Sequence, residues 1–378
     1  MHLIRRLRTF LAMAAVIVAP AAGAVLAPPA AASVLAPVGI AEWRAGGHPD
    51  LPDPMAARDW FASLPEGERR ELAAGHPGVV GNLDGAPVEL RYQANRRAML
   101  AAGIDRPDGD FLLFDPRGRG RVAEVSGDLT TARRIVVLVP GMRNRLQNFW
   151  RGVGGQAYRS PAIWAADLRK AASDADRLAV IAWLGYDAPQ GVDEAARANL
   201  AEAGADALVG FVDGLAAVRP RATIALFGHS YGSTVIGHAA ARLDPRVTDI
   251  AVFGSPGLGV DDVAALGGGA RVWAGLSSSD WIGWVPGGRL LGLGHGTAPT
   301  DPRFGAGSFA TDDVHDHDHY LTPGTDSMAA LARIAAATGD ATLTIETGEA
   351  AFATRPEATA FATRPEETAF ATSSGGAA

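Results

Sequence analysis

Short apolar runs alternate with helix-patterned segments from about residue 134 onward. Ala-rich or amphipathic stretches that favour helices occupy 193–218, 234–243 and 327–338. The apolar runs have the length of strands and show no alternation of apolar and polar side chains, and they lie at 135–139, 178–184, 223–227, 250–253 and 271–276. Strands without alternation are typical of a parallel sheet that helices cover on both faces. The pattern therefore predicts an α/β sandwich.

The preceding region, residues 33–131, has a different texture and leans toward helix. The stretch 59–72 has helical periodicity interrupted by Pro65, which predicts two short helices. A further helix is predicted over 91–102 and a short strand over 111–115. We therefore divide the chain into a mainly helical N-terminal region, 33–131, and a core, 132–340.

The first residues have the form of a secretory signal. Arg5, Arg6 and Arg8 precede an apolar stretch, 10–26, and small residues accumulate over 27–33. An uncleaved anchor is the alternative, because the apolar stretch is near the lower limit for spanning a bilayer. Pro20 and the Ala and Gly content favour a signal peptide over residues 1–32, cleaved near Ala32. We expect a secreted or envelope protein that keeps no membrane span after cleavage.

The last residues repeat a short polar motif. The segment 351–359 recurs almost unchanged at 360–368, and two nine-residue copies are too few to stack as a solenoid. The composition predicts a disordered tail over 341–378, with a peptide that docks a partner as the alternative.

Composition narrows the classes of function. The 378 residues carry a net charge of −7, which provides no basic surface for nucleic acid. The chain has no cysteine, and this excludes disulfides, thiolate zinc sites and cysteine nucleophiles. A hydrophobic fraction of 48% agrees with a large folded core, and no cofactor is predicted.

The most informative motif is Gly228-His229-Ser230-Tyr231-Gly232. It follows the apolar run 223–227 and precedes a helix-compatible segment, which is the strand, turn and helix context of a nucleophile elbow. The two glycines suit a turn too tight for side chains. We predict that Ser230 is a catalytic nucleophile.

A serine hydroxyl needs a base to remove its proton and an acid to orient that base. Asp280 follows the run 271–276, so it falls at the carboxyl edge of a parallel sheet, where such folds assemble their sites. It is the predicted acid, and Asp261 and Asp262 are weaker candidates on a Gly-rich loop.

The base must come from histidines later in the chain. The candidates are His295, His315, His317 and His319. Chemistry alone does not choose among the last three. Alternation would place those three on one face, as in a metal site, but no second histidine cluster supplies further ligands, so no metal is predicted.

An oxyanion hole requires two backbone N–H donors. Tyr231, the residue after the nucleophile, is the first predicted donor. The second comes from the turn after the run 135–139, where Pro140 has no N–H and Gly141 or Met142 would donate.

At these residues the chain resembles the α/β-hydrolase superfamily, and more narrowly an actinobacterial group of largely uncharacterised α/β hydrolases. The resemblance spans about Trp60 to Gly339. It rests on blocks at 80–87 (containing N-L-D-G), 91–96, 139–142, 183–189 (W-L-G-Y-D-A-P), 228–233 and 254–257. In this group the base commonly lies in an H-x-x-Y motif, which implies His317, followed by Tyr320, as the base and His319 as the alternative.

Together these features predict a secreted serine hydrolase with an α/β-hydrolase fold. It would cleave an ester, thioester or amide of a small-molecule or lipid-like acyl substrate through an acyl-enzyme on Ser230. The alternative is a non-catalytic envelope or binding protein of the same fold, because fold does not fix function.

Overall fold

Ten strands and ten α-helices organise the part of the chain that the computed structural model describes, residues 36–285, 288–290 and 293–337. The strands are β1 Asp110–Asp115, β2 Arg121–Ser126, β3 Arg134–Val139, β4 Leu178–Leu184, β5 Thr223–His229, β6 Val247–Phe253, β7 Arg271–Gly275, β8 Gly288–Leu290, β9 Leu293–Gly296 and β10 Gly307–Ser308. The helices are α1 Ile40–Ala45, α2 Pro54–Ser63, α3 Glu66–Gly75, α4 Pro77–Val80, α5 Val88–Ala101, α6 Pro161–Ala171, α7 Val192–Ala195, α8 Asn199–Val218, α9 Tyr231–Ala239 and α10 Asp326–Ala336. The predicted signal peptide, 1–32, and the predicted tail, 341–378, lie outside the described residues and stay predictions.

Eight of the strands form one sheet in the order β1-β2-β4-β3-β5-β6-β7-β10. The six strands from β4 to β10 in this order are parallel, and every residue of β3 and β4 is buried. Helices cover the sheet, with α6 packed against α10 and α8 packed against α9. The predicted parallel α/β architecture is confirmed.

The sheet begins upstream of residue 132, where the sequence places the start of the core. Strand β2 pairs antiparallel with β4, and β1 pairs antiparallel with β2, so both belong to the main sheet. Only β1 has a predicted counterpart. Residues 121–126 mix charged and small apolar side chains, and their strand conformation comes from pairing with the buried β4.

The remaining N-terminal region is helical, as its pattern predicts. Helices α2 and α3 are separated at Pro65, and Asp53 caps α2 by accepting a hydrogen bond from the amide of Met55 at 2.9 Å. These helices enclose their own apolar cluster around Trp43 and Phe61, while α2 also packs on α8. Within the described residues, no helix combines the length and the apolar character needed to cross a bilayer.

The order of the strands creates a crevice at the carboxyl ends of β3 and β5. The chain passes from β3 to β4 on one side, and then returns across to β5 on the other side of β3. In open α/β sheets such a reversal leaves the loops of the two central strands diverging, which opens a site between them. The turn after β3 and the serine after β5 both lie there.

A buried ion network joins β3, β6 and β7 near the starts of these strands, away from the crevice. Asp249 accepts hydrogen bonds from Arg134 at 2.6 Å and Arg271 at 2.9 Å, and its side chain has no exposed surface. Burial alone would raise the pKa of Asp249, but the bond from Arg271 and the charge of Arg134 outweigh it and lower that pKa. The carboxylate therefore stays ionised and holds in register the strands whose far ends form the site.

Candidate active site

Ser230 occupies a strained turn between β5 and α9. Its backbone has φ 53 and ψ −128, and Arg143 is the other non-glycine residue with positive φ in the described part of the chain. Such a conformation destabilises a residue other than glycine by about 1–3 kcal/mol, and it persists only where the surroundings fix it. The turn places Ser230 at the crevice, where its Oγ contacts His317.

Glycines fix this turn because the chain packs too closely for side chains. A Cβ on Gly228 would lie 2.7 Å from the Cα of Ser233. A Cβ on Gly232 would lie 2.1 Å from the carbonyl oxygen of Val139 in β3. The motif therefore requires glycine at both positions, because the start of the helix packs directly against the neighbouring strands.

Ser230, His317 and Asp280 come together from three separate loops. The Oγ of Ser230 is 2.8 Å from Nε2 of His317, and Nδ1 of the same ring is 2.9 Å from Oδ2 of Asp280. All three residues are buried. An ionised carboxylate can only accept, so Nδ1 carries the hydrogen and Nε2 presents its lone pair to the serine hydroxyl.

Three hydrogen-bond donors keep Asp280 ionised. Its oxygens accept from the amide of Ile282 at 2.9 Å and from the hydroxyl of Tyr320 at 2.7 Å, in addition to His317. Burial would raise the pKa of Asp280, but the bond to His317, its charge and these two donors lower it overall. The H-x-x-Y spacing thereby acquires a physical meaning, because its tyrosine binds Asp280 while its histidine contacts Ser230.

The other predicted candidates lie elsewhere. His319 hydrogen-bonds Asp316 at 2.7 Å, and its ring stacks on Tyr158 with centroids 4.2 Å apart. His295 bonds the carbonyl of Ala195. Asp261 accepts from Thr297, and Asp262 accepts from the amide of Ala265. Residues 315–319 form turns and not an extended strand, and among the described residues no three His, Asp or Glu side chains are arranged to hold a metal ion.

The backbone donors predicted for an oxyanion hole border Ser230. Tyr231 is the first residue of α9, so its N–H has no partner within the helix and lies at the positive end of the helix dipole. A Cβ on Gly141 would be 2.7 Å from the Cβ of Ser230 and 3.0 Å from the nitrogen of Tyr231. The turn after β3, with Gly141 and Met142, therefore passes directly beside the serine.

An aromatic stack supports both of these backbone segments. The rings of Trp183, Tyr186 and Tyr231 lie nearly parallel, with centroids 6.1 and 6.5 Å apart. The Tyr186 hydroxyl donates to the carbonyl of Pro140 at 2.6 Å, and the Tyr231 hydroxyl donates to the carbonyl of Arg197 at 2.7 Å. Burial raises the pKa of Tyr186 well above its usual value, so its hydroxyl remains a donor.

Tyr186 and Gly254 are site residues to which sequence reasoning gave no role. Tyr186 belongs to the W-L-G-Y-D-A-P block, and Gly254 to the block at 254–257, so both carried a signal as parts of a motif. Gly254 has φ 55, and a Cβ there would lie 3.0 Å from Oδ2 of Asp280 and 3.1 Å from the ring of His317. Its hydrogen leaves room for the acid and the imidazole.

Comparison with known proteins places the chain in a family. A family model described as alpha/beta hydrolase matches residues 115–288. An uncharacterized protein of Mycobacterium bovis, Mb0988c, is 32% identical over 230 residues, which cover 58% of this chain and 80% of the relative. The chain belongs to the α/β-hydrolase family.

Other proteins are similar to parts of this chain. Uncharacterized protein Rv2079 of Mycobacterium tuberculosis is 29% identical over 367 residues, which cover 75% of this hydrolase and 55% of the relative, so the chain spans about half the length of that protein. Among solved structures, XC6422 from Xanthomonas campestris, a member of a/b serine hydrolase without lid, has 16% identity and a TM-score of 0.38 over 62% of this chain and 98% of that one. A Trichoderma reesei cutinase has 15% identity and a TM-score of 0.33 over 74% and 96%.

His229, the residue before the serine, is neutral inside the hydrolase. Its Nε2 is 2.7 Å from the carbonyl oxygen of His317, so this nitrogen carries the hydrogen and donates. Burial, followed by the charge of His317, lowers the pKa of His229 to about 4. The ring thus joins the elbow to the loop that carries the imidazole.

This lowered pKa predicts an acid-sensitive fold. The ordinary pKa of histidine is 6.5, so between about 6.5 and about 4 the unfolded chain binds a proton at His229 that the folded protein does not. As the pH decreases through this window, the free energy of unfolding should decrease. This one group contributes at most about 1.4 kcal/mol per pH unit. His229→Gln keeps an N–H donor and cannot titrate there, so urea unfolding across this range should give a shallower slope. Carboxylates titrate in both proteins, and equal slopes would show that His229 contributes nothing.

Proposed function

We propose that this α/β hydrolase cleaves esters, thioesters or amides by acyl transfer to Ser230. The observation that carries the proposal is the continuous chain of contacts from Ser230 through His317 to Asp280, at 2.8 and 2.9 Å. Family membership supports hydrolysis, and the strained turn at Ser230 supports its role as the nucleophile.

The reaction begins with a proton transfer to His317. As Oγ of Ser230 bonds to the substrate carbonyl carbon, its proton moves to Nε2, and the carbonyl electron pair moves to oxygen. Ionised Asp280 stabilises the resulting imidazolium through Nδ1–H. The bond to the leaving group then breaks with its electron pair, and the leaving atom takes the proton from Nε2. Water repeats the sequence on the acyl-enzyme and releases the acid.

The developing oxyanion needs donors that are already in place. The N–H of Tyr231 at the start of α9 is one, and the turn of Gly141 and Met142 supplies the other. The close approach of Gly141 to Ser230 supports this assignment. Donors fixed before the reaction stabilise the transition state without reorganising.

Export is a further part of the proposal. The arginines and the apolar stretch at the start of the sequence support a signal peptide ending near Ala32, and mass spectrometry of secreted protein would then find a mature N-terminus close to Ser33. Small-molecule or lipid-like acyl compounds outside the cytoplasm would be the substrates.

Hydrolysis of a panel of short- and long-acyl esters tests the assignment of the nucleophile and the base. Ser230→Ala and His317→Ala should each lower kcat/KM by at least about 10³-fold, because each removes a group that the first step requires. His319→Ala is the matched control, since it removes an imidazole from the same loop, two residues away, and should retain most of the activity.

Two results would contradict the proposal. If wild type and Ser230→Ala gave the same background rate, the alternative of a non-catalytic binding protein would be favoured. If His319→Ala lost activity while His317→Ala kept it, the assignment of the base would be wrong.

Tyr186 is expected to act as a positioning residue for the oxyanion turn. The Pro140–Gly141 peptide is trans, so anchoring its carbonyl on the Tyr186 hydroxyl directs the Gly141 N–H to the opposite side. Tyr186→Phe should lower kcat about tenfold and change KM less, because the oxyanion bonds form in the transition state. The control is Tyr92→Phe, which removes the hydroxyl of a different buried tyrosine, on α5. Equal kcat values for the two variants, with equal losses of thermal stability, would leave Tyr186 with a structural role alone.

A further inference from the structure

A short 3₁₀ helix, Trp281–Trp284, begins directly at the acid of the site. Asp280 caps it by accepting from the amide of Ile282. With three residues per turn, side chains three apart lie on the same side of a 3₁₀ helix, so Trp281 and Trp284 share one side. The ring of Trp281 lies with its centroid 5.1 Å from that of His317. The helix thus begins with an indole ring beside the imidazole.

The outer end of this helix is exposed to solvent. Trp284 is 54% exposed and the adjacent Val285 is 39% exposed. An indole with this much surface in water adds little to the packing of the fold and offers apolar surface to a ligand. The buried Ile282 lies between the two tryptophans in the helix. Trp284 is therefore available for a ligand, and Trp281 is partly exposed.

The proposed chemistry determines which part of a substrate would meet these rings. When the tetrahedral intermediate collapses, Nε2 of His317 gives its proton to the leaving oxygen, which must come within about 3 Å of that nitrogen. The carbonyl oxygen is held on another side, by the amide of Tyr231. A substituent on the leaving oxygen therefore extends past the imidazole, and the ring of Trp281 is the indole that lies beside that imidazole.

We infer that Trp281 and Trp284 form the leaving-group subsite, and that the preferred substrates are esters of apolar alcohols, aromatic or long-chain. This inference rests on the proposed function. The C–O bond breaks with its electron pair on the alcohol oxygen, the proton comes from His317, and the released alcohol is the ligand of the two indoles.

Matched ester pairs test the subsite. Ethyl and benzyl esters of one acid vary the alcohol alone, and ethyl esters of short and long acids vary the acyl group alone. Trp284→Ala should lower the benzyl-to-ethyl ratio of kcat/KM about tenfold and leave the acyl dependence unchanged. Trp284→Phe should restore most of the ratio. Leu100→Ala, at a 64% exposed apolar side chain on α5, is the control and should change neither series.

Binding of benzyl alcohol gives a readout that needs no turnover. In Ser230→Ala protein, titration followed by ligand-observed NMR should detect binding that weakens about tenfold when Trp284→Ala is added. If this difference is found but wild type hydrolyses no ester, the indole pair is a binding site for apolar alcohols, and ester hydrolysis, with the leaving-group role that rests on it, is wrong.

Three results would overturn the subsite. One is equal binding of benzyl alcohol by the single and double variants. Another is a Trp284→Ala effect on acyl length and not on the alcohol. The third is a loss of sedimentation with phosphatidylcholine vesicles in Trp284→Ala while ester discrimination is unchanged, which would make Trp284 a membrane contact.

Discussion

The left-handed backbone of Ser230 is the constraint on which the site depends. A residue with φ 53 between a strand and a helix requires both elements to be fixed by something else, and here the fixing is steric. The lack of a side chain at Gly232 lets the start of α9 pack closely against β3. The lack of one at Gly228 lets the end of β5 pack closely against α9. Because β3 and β5 are neighbours, the same close packing that holds the serine also brings the Gly141 turn beside it. Ser230 and the candidate oxyanion donors are thus held by one packing arrangement.

Asp280 and His317 are joined to this arrangement by hydrogen bonds from several directions. Asp280 is bound by Ile282, Tyr320 and His317, while the carbonyl of His317 is bound by His229 of the elbow itself. Gly254 leaves the space between them open. Each group therefore has its orientation set by contacts that do not involve a substrate, which is the condition for electrostatic stabilisation without reorganisation.

The sequence predicts the parallel part of the fold because its strands are continuously apolar, and β3 and β4 are indeed buried at every residue. It places Ser230 and Asp280 at the carboxyl edge because each follows such a run. The apolar pattern does not predict strand β2, because its conformation is a consequence of pairing with β4, 50 or more residues later in the chain. A boundary drawn at residue 132 therefore divides a continuous sheet.

The choice between His317 and His319 also requires tertiary structure. Both are imidazoles beside aspartates on one loop, and local chemistry does not separate them. What separates them is the direction of the turn, which brings one ring to Ser230 and the other to Tyr158. The contact of Tyr186 with Pro140 is equally invisible to periodicity, because it joins loops after two different strands.

Covalent labelling of the folded protein by a fluorophosphonate tests the central assignment most directly. Intact mass and peptide mapping should find a single adduct, on Ser230, that is absent from Ser230→Ala and forms far more slowly in His317→Ala. An unmodified wild-type protein under conditions where it is folded, or an adduct that forms equally in Ser230→Ala, would contradict the account.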